Sequence, residues 1–234
     1  GEESGTVWKL RFMPTEVGEW TYEWAFSDGS LKGSGSFACV GDGALPGVLR
    51  VDERYPRWVR NDEGYFYPTV IEMHWGEQLA YPIEDYRQQY DLYLEKGYNM
   101  VGFLWLPIWD FTTWQVNPLN NDGASDPFIT VWYQNKPHVE KDRSTYDSDR
   151  MLLFAWDRLD QHLGYLAQNE VYAFPFQGFN VKHANEAEVV PQSFDSEKYD
   201  WYMRYCMARL APYYNLMWNN TWESSVGIDG FLAG

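Results

Sequence analysis

The chain has 234 residues, and its 45% hydrophobic and 22% charged residues are the composition of a globular protein with a sizeable core. This composition excludes disordered, collagen-like and coiled-coil chains. Its 18 basic and 34 acidic residues give a net charge of −16, so nucleic acid, with its repelling phosphate backbone, is not expected as a partner. Apolar runs such as Met100 to Trp109 are shorter than the roughly 20 residues that a membrane span needs.

Residues 1–45 alternate apolar and polar side chains in short runs that predict antiparallel strands. The predicted strands are Thr6 to Phe12, Glu19 to Phe26 and Ser34 to Val40, and the sequence Ser27-Asp28-Gly29 predicts a turn between the last two. Three strands are fewer than the about seven of a complete sandwich. We therefore expect residues 1–45 to be the C-terminal part of a β-sandwich domain, followed by a linker over residues 46–65.

From residue 66 onward the pattern changes to apolar runs that alternate with helical stretches, as in βα units with a parallel sheet. The predicted strands are Phe66 to Trp75, Asn99 to Pro107, Val171 to Gln177 and Asn215 to Trp222. The predicted helices are Ile83 to Lys96, which Gly97 ends, Ser148 to Asn169, and Glu197 to Leu210. A polar insertion from Ile108 to Tyr146 separates the second strand from its helix, with a short hairpin predicted at Phe128 to Gln134.

Neither a Gly-x-Gly-x-x-Gly turn nor a phosphate-binding Gly-Lys-Ser/Thr loop occurs, which favours a barrel over a nucleotide-binding sheet. The predicted fold class is α/β, namely the first half of a (β/α)8 TIM barrel preceded by part of an antiparallel β-sandwich. A complete eight-unit barrel needs about 250 residues. We expect residues 66–234 to hold the first four βα units, with the C-terminal half of the barrel absent.

Barrel enzymes place their chemistry at the C-terminal ends of strands and in the loops that follow. The side chains there are Glu72, His74 and Trp75 after the first strand; Trp105, Trp109 and Asp110 after the second; Gln177 and Asn180 after the third; and Asn219, Asn220, Trp222 and Glu223 after the fourth. Amides and imidazole hydrogen-bond sugar hydroxyls, tryptophan faces stack on sugar rings, and a carboxylic acid can protonate a glycosidic oxygen. Trp, Tyr and Phe also make up 19% of the chain. These features predict a carbohydrate partner and glycoside hydrolysis.

Each of these residues also has a plainer interpretation. Glu223 could be a solvated loop carboxylate, His74 a hydrogen-bonded packing residue, and Asp110 the cap of a turn. Trp105 and Trp109 could fill the barrel or cover its insertion.

The remaining reactive side chains predict neither a metal site nor a nucleophile. The four histidines lack metal-binding spacings, so no metal and no cofactor are expected. Cys39 and Cys206 lie in apolar segments and are predicted to be buried thiols, with Cys206 an inert core residue in the middle of a helix. No Gly-x-Ser-x-Gly elbow supports a serine hydrolase.

Three stretches resemble the apiosidase-like glycoside hydrolases. WKLRFMPTEVGEWTYEWAF with GSFACV is similar to the β-sandwich that precedes the barrel in that family. EKGYNMVGFLWLP resembles its second barrel strand, and YMRYCMARLAPYYNLMWNNTWE its third helix and fourth strand, which ends in an acidic residue. The resemblance covers nearly the whole chain. It implies an extracellular or periplasmic enzyme, although no signal peptide is present in this sequence.

The resemblance also assigns roles to individual residues. In such retaining enzymes the acid/base ends the fourth strand and the nucleophile ends the seventh, so Glu223 becomes the acid/base and no residue here matches the nucleophile. The family has an asparagine directly before this glutamate, whereas here Trp222 intervenes, and either Asn219 or Asn220 takes the asparagine role. Glu72 precedes Trp75 much as an aspartate precedes a tryptophan in the first strand, which implies a ligand of sugar hydroxyls.

Two functions follow as alternatives. The first is a retaining glycoside hydrolase that acts on a plant or algal polysaccharide and whose activity requires a seventh strand, so that this polypeptide alone is expected to be inactive. The second is a non-catalytic carbohydrate-binding or surface-attachment protein that uses the same aromatic cleft without cutting.

Overall fold

The structure, a computed structural model, describes residues 9–41, 45–72, 82–103, 132–134, 146–151, 153–175, 180–181, 197–218 and 221–222. The N-terminal strands are β1 (Gly18–Ala25), β2 (Lys32–Cys39), β3 (Arg50–Val51), β4 (Val59–Asn61) and β5 (Gly64–Tyr65). They are followed by β6 (Val70–Glu72), α1 (Ile83–Glu95), β7 (Met100–Phe103), β8 (Trp132–Gln134) and β9 (Tyr146–Met151). The last elements are α2 (Leu153–Gln168), β10 (Tyr172–Pro175), β11 (Asn180–Val181), α3 (Glu197–Leu210) and β12 (Thr221–Trp222).

Strands β1 and β2 form the antiparallel hairpin that the sequence predicts. Gly29 adopts a φ of 71° in the connecting turn and donates its N–H to the Phe26 carbonyl, a conformation that costs a glycine little. The Asp28 carboxylate accepts the Ser30 N–H at 2.9 Å, and this hydrogen bond lowers the pKa of Asp28. The strand predicted from Thr6 to Phe12 is not found, since residues 9–12 have no regular structure and residues 6–8 lie outside the described residues.

The segment between the hairpin and the first barrel strand contains an antiparallel sheet in the order β3-β4-β5. The buried Asp52 carboxylate accepts the N–H groups of Arg54 and Tyr55, which shapes the loop between β3 and β4. The Asn61 side-chain oxygen accepts the N–H groups of Glu63 and Gly64 in the turn between β4 and β5. Local side-chain hydrogen bonds therefore order much of the predicted linker.

A parallel sheet in the order β10-β7-β6 forms the centre of the fold. Val70 and Tyr172 both pair with Met100, and Ala173 makes a further parallel bridge to Leu216 of the predicted fourth strand. Parallel strands thus lie side by side in chain order, with helices between them, as in a (β/α)8 barrel. The described residues do not close a barrel. The predicted α/β fold class, with the first βα units of a barrel, is confirmed.

The two faces of the parallel sheet take part in different cores. Ile71, Val101, Ala173 and Leu216 pack with residues of the three helices, including Trp156, Leu159, Leu163 and Tyr202, each 0% exposed. Met100 and Tyr172 point the other way and cluster with Phe66 and Tyr214, with Phe174 and Met217 at the edge of the cluster. Strand alternation therefore separates an outward face under the helices from an inward face.

The helices largely follow their predicted bounds. Helix α1 ends at Glu95, one residue before the predicted end, and is followed as predicted by Gly97, which adopts a φ of 81°; Tyr98 donates its N–H back to the Tyr93 carbonyl. Helix α3 begins and ends where the sequence predicts. The prediction that the second helix begins at Ser148 is wrong, because residues 148–151 belong to β9, which pairs antiparallel with β8. Of the hairpin predicted at Phe128 to Gln134, the structure describes residues 132–134, which form β8 and pair with β9; residues 128–131 lie outside the described residues.

Cys206 is fully buried, and burial raises the pKa of its thiol, which confirms the predicted inert core residue. Cys39 is a free thiol of intermediate exposure, so the prediction that it is buried is only partly met. In the described part of the chain, no helix is both long and apolar enough to span a membrane.

Candidate functional site

The three strands of the parallel sheet end together at one edge, at Glu72, Phe103 and Pro175. We call this edge, together with the segment that follows the Leu216 bridge to Trp218, the carboxyl edge. Glu72 lies level with Gly102, and Gly102 lies level with Phe174. Ala173 donates its N–H to the Asn215 carbonyl at 2.7 Å and accepts the Met217 N–H at 2.9 Å, which continues the same order. At about 4.8 Å between neighbouring strands, four strand ends span about 14 Å.

Position 72 belongs to the inward face, two residues after Val70, in the layer that also holds Gly102 and Phe174. This layer is the inward one nearest the carboxyl edge. Glycine has no side chain, so it leaves room beside position 72. The register therefore assigns position 72 to this inward layer, and the role of Glu72 as a sugar ligand stays a prediction.

Strands β11 and β12 bring two further predicted residues together. Asn180 pairs with Thr221 and Val181 with Trp222, in parallel. The loop that follows the third barrel strand therefore pairs with the end of the predicted fourth strand. That strand was predicted to run from Asn215 to Trp222, and the structure shows it beside the parallel sheet at Leu216 and in a separate two-stranded sheet at Thr221–Trp222. Asn180 lies level with Thr221, one residue before Trp222, and Glu223 is the next residue in the sequence.

The other predicted site residues fall outside the described residues. They are His74, Trp75, Trp105, Trp109, Asp110, Gln177, Asn219, Asn220 and Glu223. All of them follow the described strand ends in the sequence within a few residues. Their roles remain predictions.

A hydrogen-bonded layer fixes the third and fourth strands below the carboxyl edge. The Tyr172 hydroxyl donates to the Gly47 carbonyl at 2.6 Å and accepts from the Asn61 side-chain amide at 3.2 Å. Burial raises the pKa of Tyr172, so its hydroxyl stays protonated and able to donate. The buried Asn215 amide donates to the carbonyls of Leu163 and Val171, which ties the fourth strand to α2.

Sequence reasoning missed two inward residues of the same edge, Phe174 and Met217. Both are partly buried against the inward cluster of Met100 and Tyr172. Their alternation with the outward residues Ala173 and Leu216 is the signal that could have found them.

Nothing in the described part of the chain resembles a metal site, because no group of three or more His, Cys, Asp or Glu side chains there could hold an ion. One of the four histidines, His162, is 2% exposed, and its Nδ1 lies 2.8 Å from the Tyr90 hydroxyl between α1 and α2. This contact belongs to helix packing on the outward side, away from the carboxyl edge.

No protein-family model matches the sequence. No curated protein matches it. Among solved structures, the chain is similar to a protein from Bacteroides vulgatus ATCC 8482 that is provisionally named a glycoside hydrolase, with a TM-score of 0.61 and 18% identity over 90% of this chain and 39% of that one. A glycoside hydrolase family 5 structure from the same organism gives a TM-score of 0.46 and 16% identity over 74% of this chain and 32% of that one.

The chain thus spans about two fifths of the length of the first of these structures. That likeness shows a shared fold. The α/β barrel fold expected from the sequence is confirmed, whereas the assignment to glycoside hydrolases and the narrower resemblance to apiosidase-like enzymes stay predictions.

Proposed function

We propose that this chain is part of a retaining glycoside hydrolase that acts on a plant or algal polysaccharide outside the cell or in the periplasm. The observation that supports this most is the carboxyl edge, where parallel strands in barrel order end together directly before a run of carboxylate, amide, imidazole and indole side chains. The likeness in fold to a protein named a glycoside hydrolase supports the same proposal.

In this proposal Glu223 is the general acid and base. As an acid it protonates the glycosidic oxygen while a second carboxylate, supplied by another part of the barrel, attacks the anomeric carbon and forms a covalent glycosyl intermediate. Glu223 then removes a proton from the water that hydrolyses the intermediate. This role requires a raised carboxyl pKa, which an apolar wall of indole rings would provide by disfavouring the ionised form.

Glu72, Asn180 and Trp222 would bind the sugar at this edge. Glu72 would accept hydrogen bonds from hydroxyl groups, and Asn180 would donate and accept them. The indole of Trp222 would stack on the C–H face of the ring. Substitution of these residues by alanine should raise KM, since binding and not proton transfer is lost.

The test uses the complete product of the gene that encodes this chain, assayed for reducing ends released from soluble plant and algal polysaccharides. Glu223→Gln should lower kcat on polysaccharides by about 100-fold to 10,000-fold, the usual contribution of general acid catalysis. On a dinitrophenyl glycoside, whose leaving group needs no protonation, the first step should be almost unchanged. The matched control is Glu197→Gln, at an exposed position in the first turn of α3, and it should leave kcat unchanged.

Two results would contradict the proposal. Equal losses of kcat/KM, which reports the first step, on polysaccharide and on dinitrophenyl glycoside would show that Glu223 does not act as the acid. Polysaccharide binding with no product from the unsubstituted protein would favour the non-catalytic carbohydrate-binding function instead.

A further inference from the structure

Arg11 precedes the first hairpin strand in the sequence, yet its side chain lies against the barrel helices. Its Nη2 donates to the Asp160 carboxylate of α2 at 2.7 Å. Its Nη1 lies 3.5 Å from the backbone carbonyl of Arg209 in the last turn of α3. One guanidinium group thus contacts two helices, at residues 149 and 198 positions later in the sequence.

Asp160 is shared by two arginines. Arg209 also donates to its Oδ2, at 2.7 Å from Nη2 and 3.1 Å from Nε, and the Tyr213 hydroxyl donates to Oδ1 at 3.2 Å. Although burial alone would lower it, the hydrogen bond and charge of Asp160 raise the pKa of Arg209. Arg209 also pairs with Asp157, so two positive and two negative charges balance in what we call the Arg11 clasp: Arg11, Asp157, Asp160 and Arg209.

Three of the four side chains of the clasp are shielded from water, since Arg11, Asp160 and Arg209 are 25%, 14% and 10% exposed, whereas Asp157 is 55% exposed. Ion pairs shielded in this way are screened by salt much less than exposed ones. Because Arg209 donates to Asp160 independently of Arg11, the ion pair between α2 and α3 should persist when Arg11 is replaced. The contribution specific to Arg11 is therefore the attachment of the N-terminal segment.

The residues that follow Arg11 face two ways. The Phe12 ring lies 5.3 Å from the Phe37 ring and 6.2 Å from the Trp20 ring, both in the hairpin. Met13 packs against the buried inward cluster that contains Met100 and Tyr172, the first residues of β7 and β10. The segment therefore contacts the hairpin with one side chain and the amino ends of the barrel strands with the next.

We propose that the Arg11 clasp attaches the β1–β2 hairpin to the barrel, so that loss of the clasp lets the hairpin open while the barrel stays folded. Through the clasp the hairpin is anchored on α2, α3 and the amino ends of the strands, on the opposite side from the carboxyl edge. The hairpin then supports the barrel from the side opposite the carboxyl edge.

The test is Arg11→Ala in the complete product of the gene, with amide hydrogen exchange read separately for β1 and β2 and for α1. Loss of a charge-assisted, partly buried hydrogen bond should speed exchange in β1 and β2 by about tenfold to 100-fold and leave α1 within about twofold. Chymotrypsin should also cut more quickly at the exposed hairpin aromatics Tyr22 and Trp24. Arg11→Lys, which keeps the charge but not the fork, should give an intermediate rate.

The matched control is Arg204→Ala, because Arg204 and Asp200 form an exposed pair within α3, with side chains 77% and 61% exposed. It should leave hairpin exchange unchanged. Unchanged hairpin exchange in Arg11→Ala would overturn the proposal. An equal rise in the hairpin and in α1 would also overturn it, since Arg11 would then stabilise the whole chain and not the attachment of the hairpin.

Discussion

Glu170 is held in a backbone conformation that normally belongs to glycine, and its replacement by glycine should stabilise the protein. It adopts a φ of 60° directly after α2, where Val171 donates its N–H to the Leu166 carbonyl at 2.9 Å and Glu170 donates to that of Ala167 at 3.2 Å. These are the hydrogen bonds of a Schellman motif, which usually has glycine at this position.

The size of the effect follows from three contributions. A left-handed conformation costs a residue with a Cβ about 1 to 2 kcal/mol, which glycine avoids. Glycine also lowers the free energy of unfolding by about 0.5 to 1 kcal/mol, because it increases the conformational freedom of the unfolded chain. Removal of a negative charge from the exposed C-terminal end of a helix adds about 0.3 kcal/mol. Glu170→Gly should therefore raise the free energy of unfolding by about 1 kcal/mol.

Urea denaturation measures this change as a higher midpoint with an unchanged m-value. Glu170→Gln separates the charge from the backbone and should gain only about 0.3 kcal/mol. The converse variant is Gly97→Ala at the end of α1, where φ is 81° and an added Cβ meets nothing within 4 Å. It should lose about 1 kcal/mol through backbone strain alone. An unchanged or lower midpoint for Glu170→Gly would refute the reasoning.

Two further predictions concern buried groups. Burial raises the pKa of Cys206, so the folded state keeps a proton that the unfolded thiol loses above about pH 8.5. The free energy of unfolding should therefore fall above that pH by about 1.4 kcal/mol per pH unit. Cys206→Ala should remove this contribution between about pH 8.5 and 10, whereas Cys39→Ala should not. Tyr90→Phe removes the 2.8 Å contact with His162 Nδ1 and should lower the free energy of unfolding by about 1 to 3 kcal/mol in urea denaturation. A stability equal to that of the unsubstituted protein would show that this contact contributes nothing.

Local signals in the sequence predicted the C-terminal ends of the three helices to within one residue. Helix α3 has the predicted bounds, and α1 is followed by Gly97 because only a residue tolerant of positive φ fits there. The end of α2 was predicted within one residue even though Glu170 is not a glycine. Apolar periodicity and helix-end residues depend on neighbours in the chain, and so a single sequence carries them.

Contacts between distant segments were not predictable in the same way. Residues 148–151 have a helix-compatible composition, but pairing with β8 holds them in a strand, and that pairing depends on the conformation of the insertion. The Arg11 clasp joins residues separated by 149 positions, and no local pattern marks Arg11 as different from other arginines. Only the fold brings these groups together.

For the candidate site, too, the sequence predicted one part and the fold supplied the other. The sequence predicted which residues follow the strands, and the register adds that Glu72 shares an inward layer with Gly102 and Phe174. Below that layer, the hydrogen bonds of Tyr172 and the attachment of Arg11 hold the amino ends of the strands. In a barrel, the amino side stabilises the fold and the carboxyl side carries the chemistry. Substitutions at Tyr172 should therefore change the free energy of unfolding, whereas substitutions at Glu72 should change KM for the glycan.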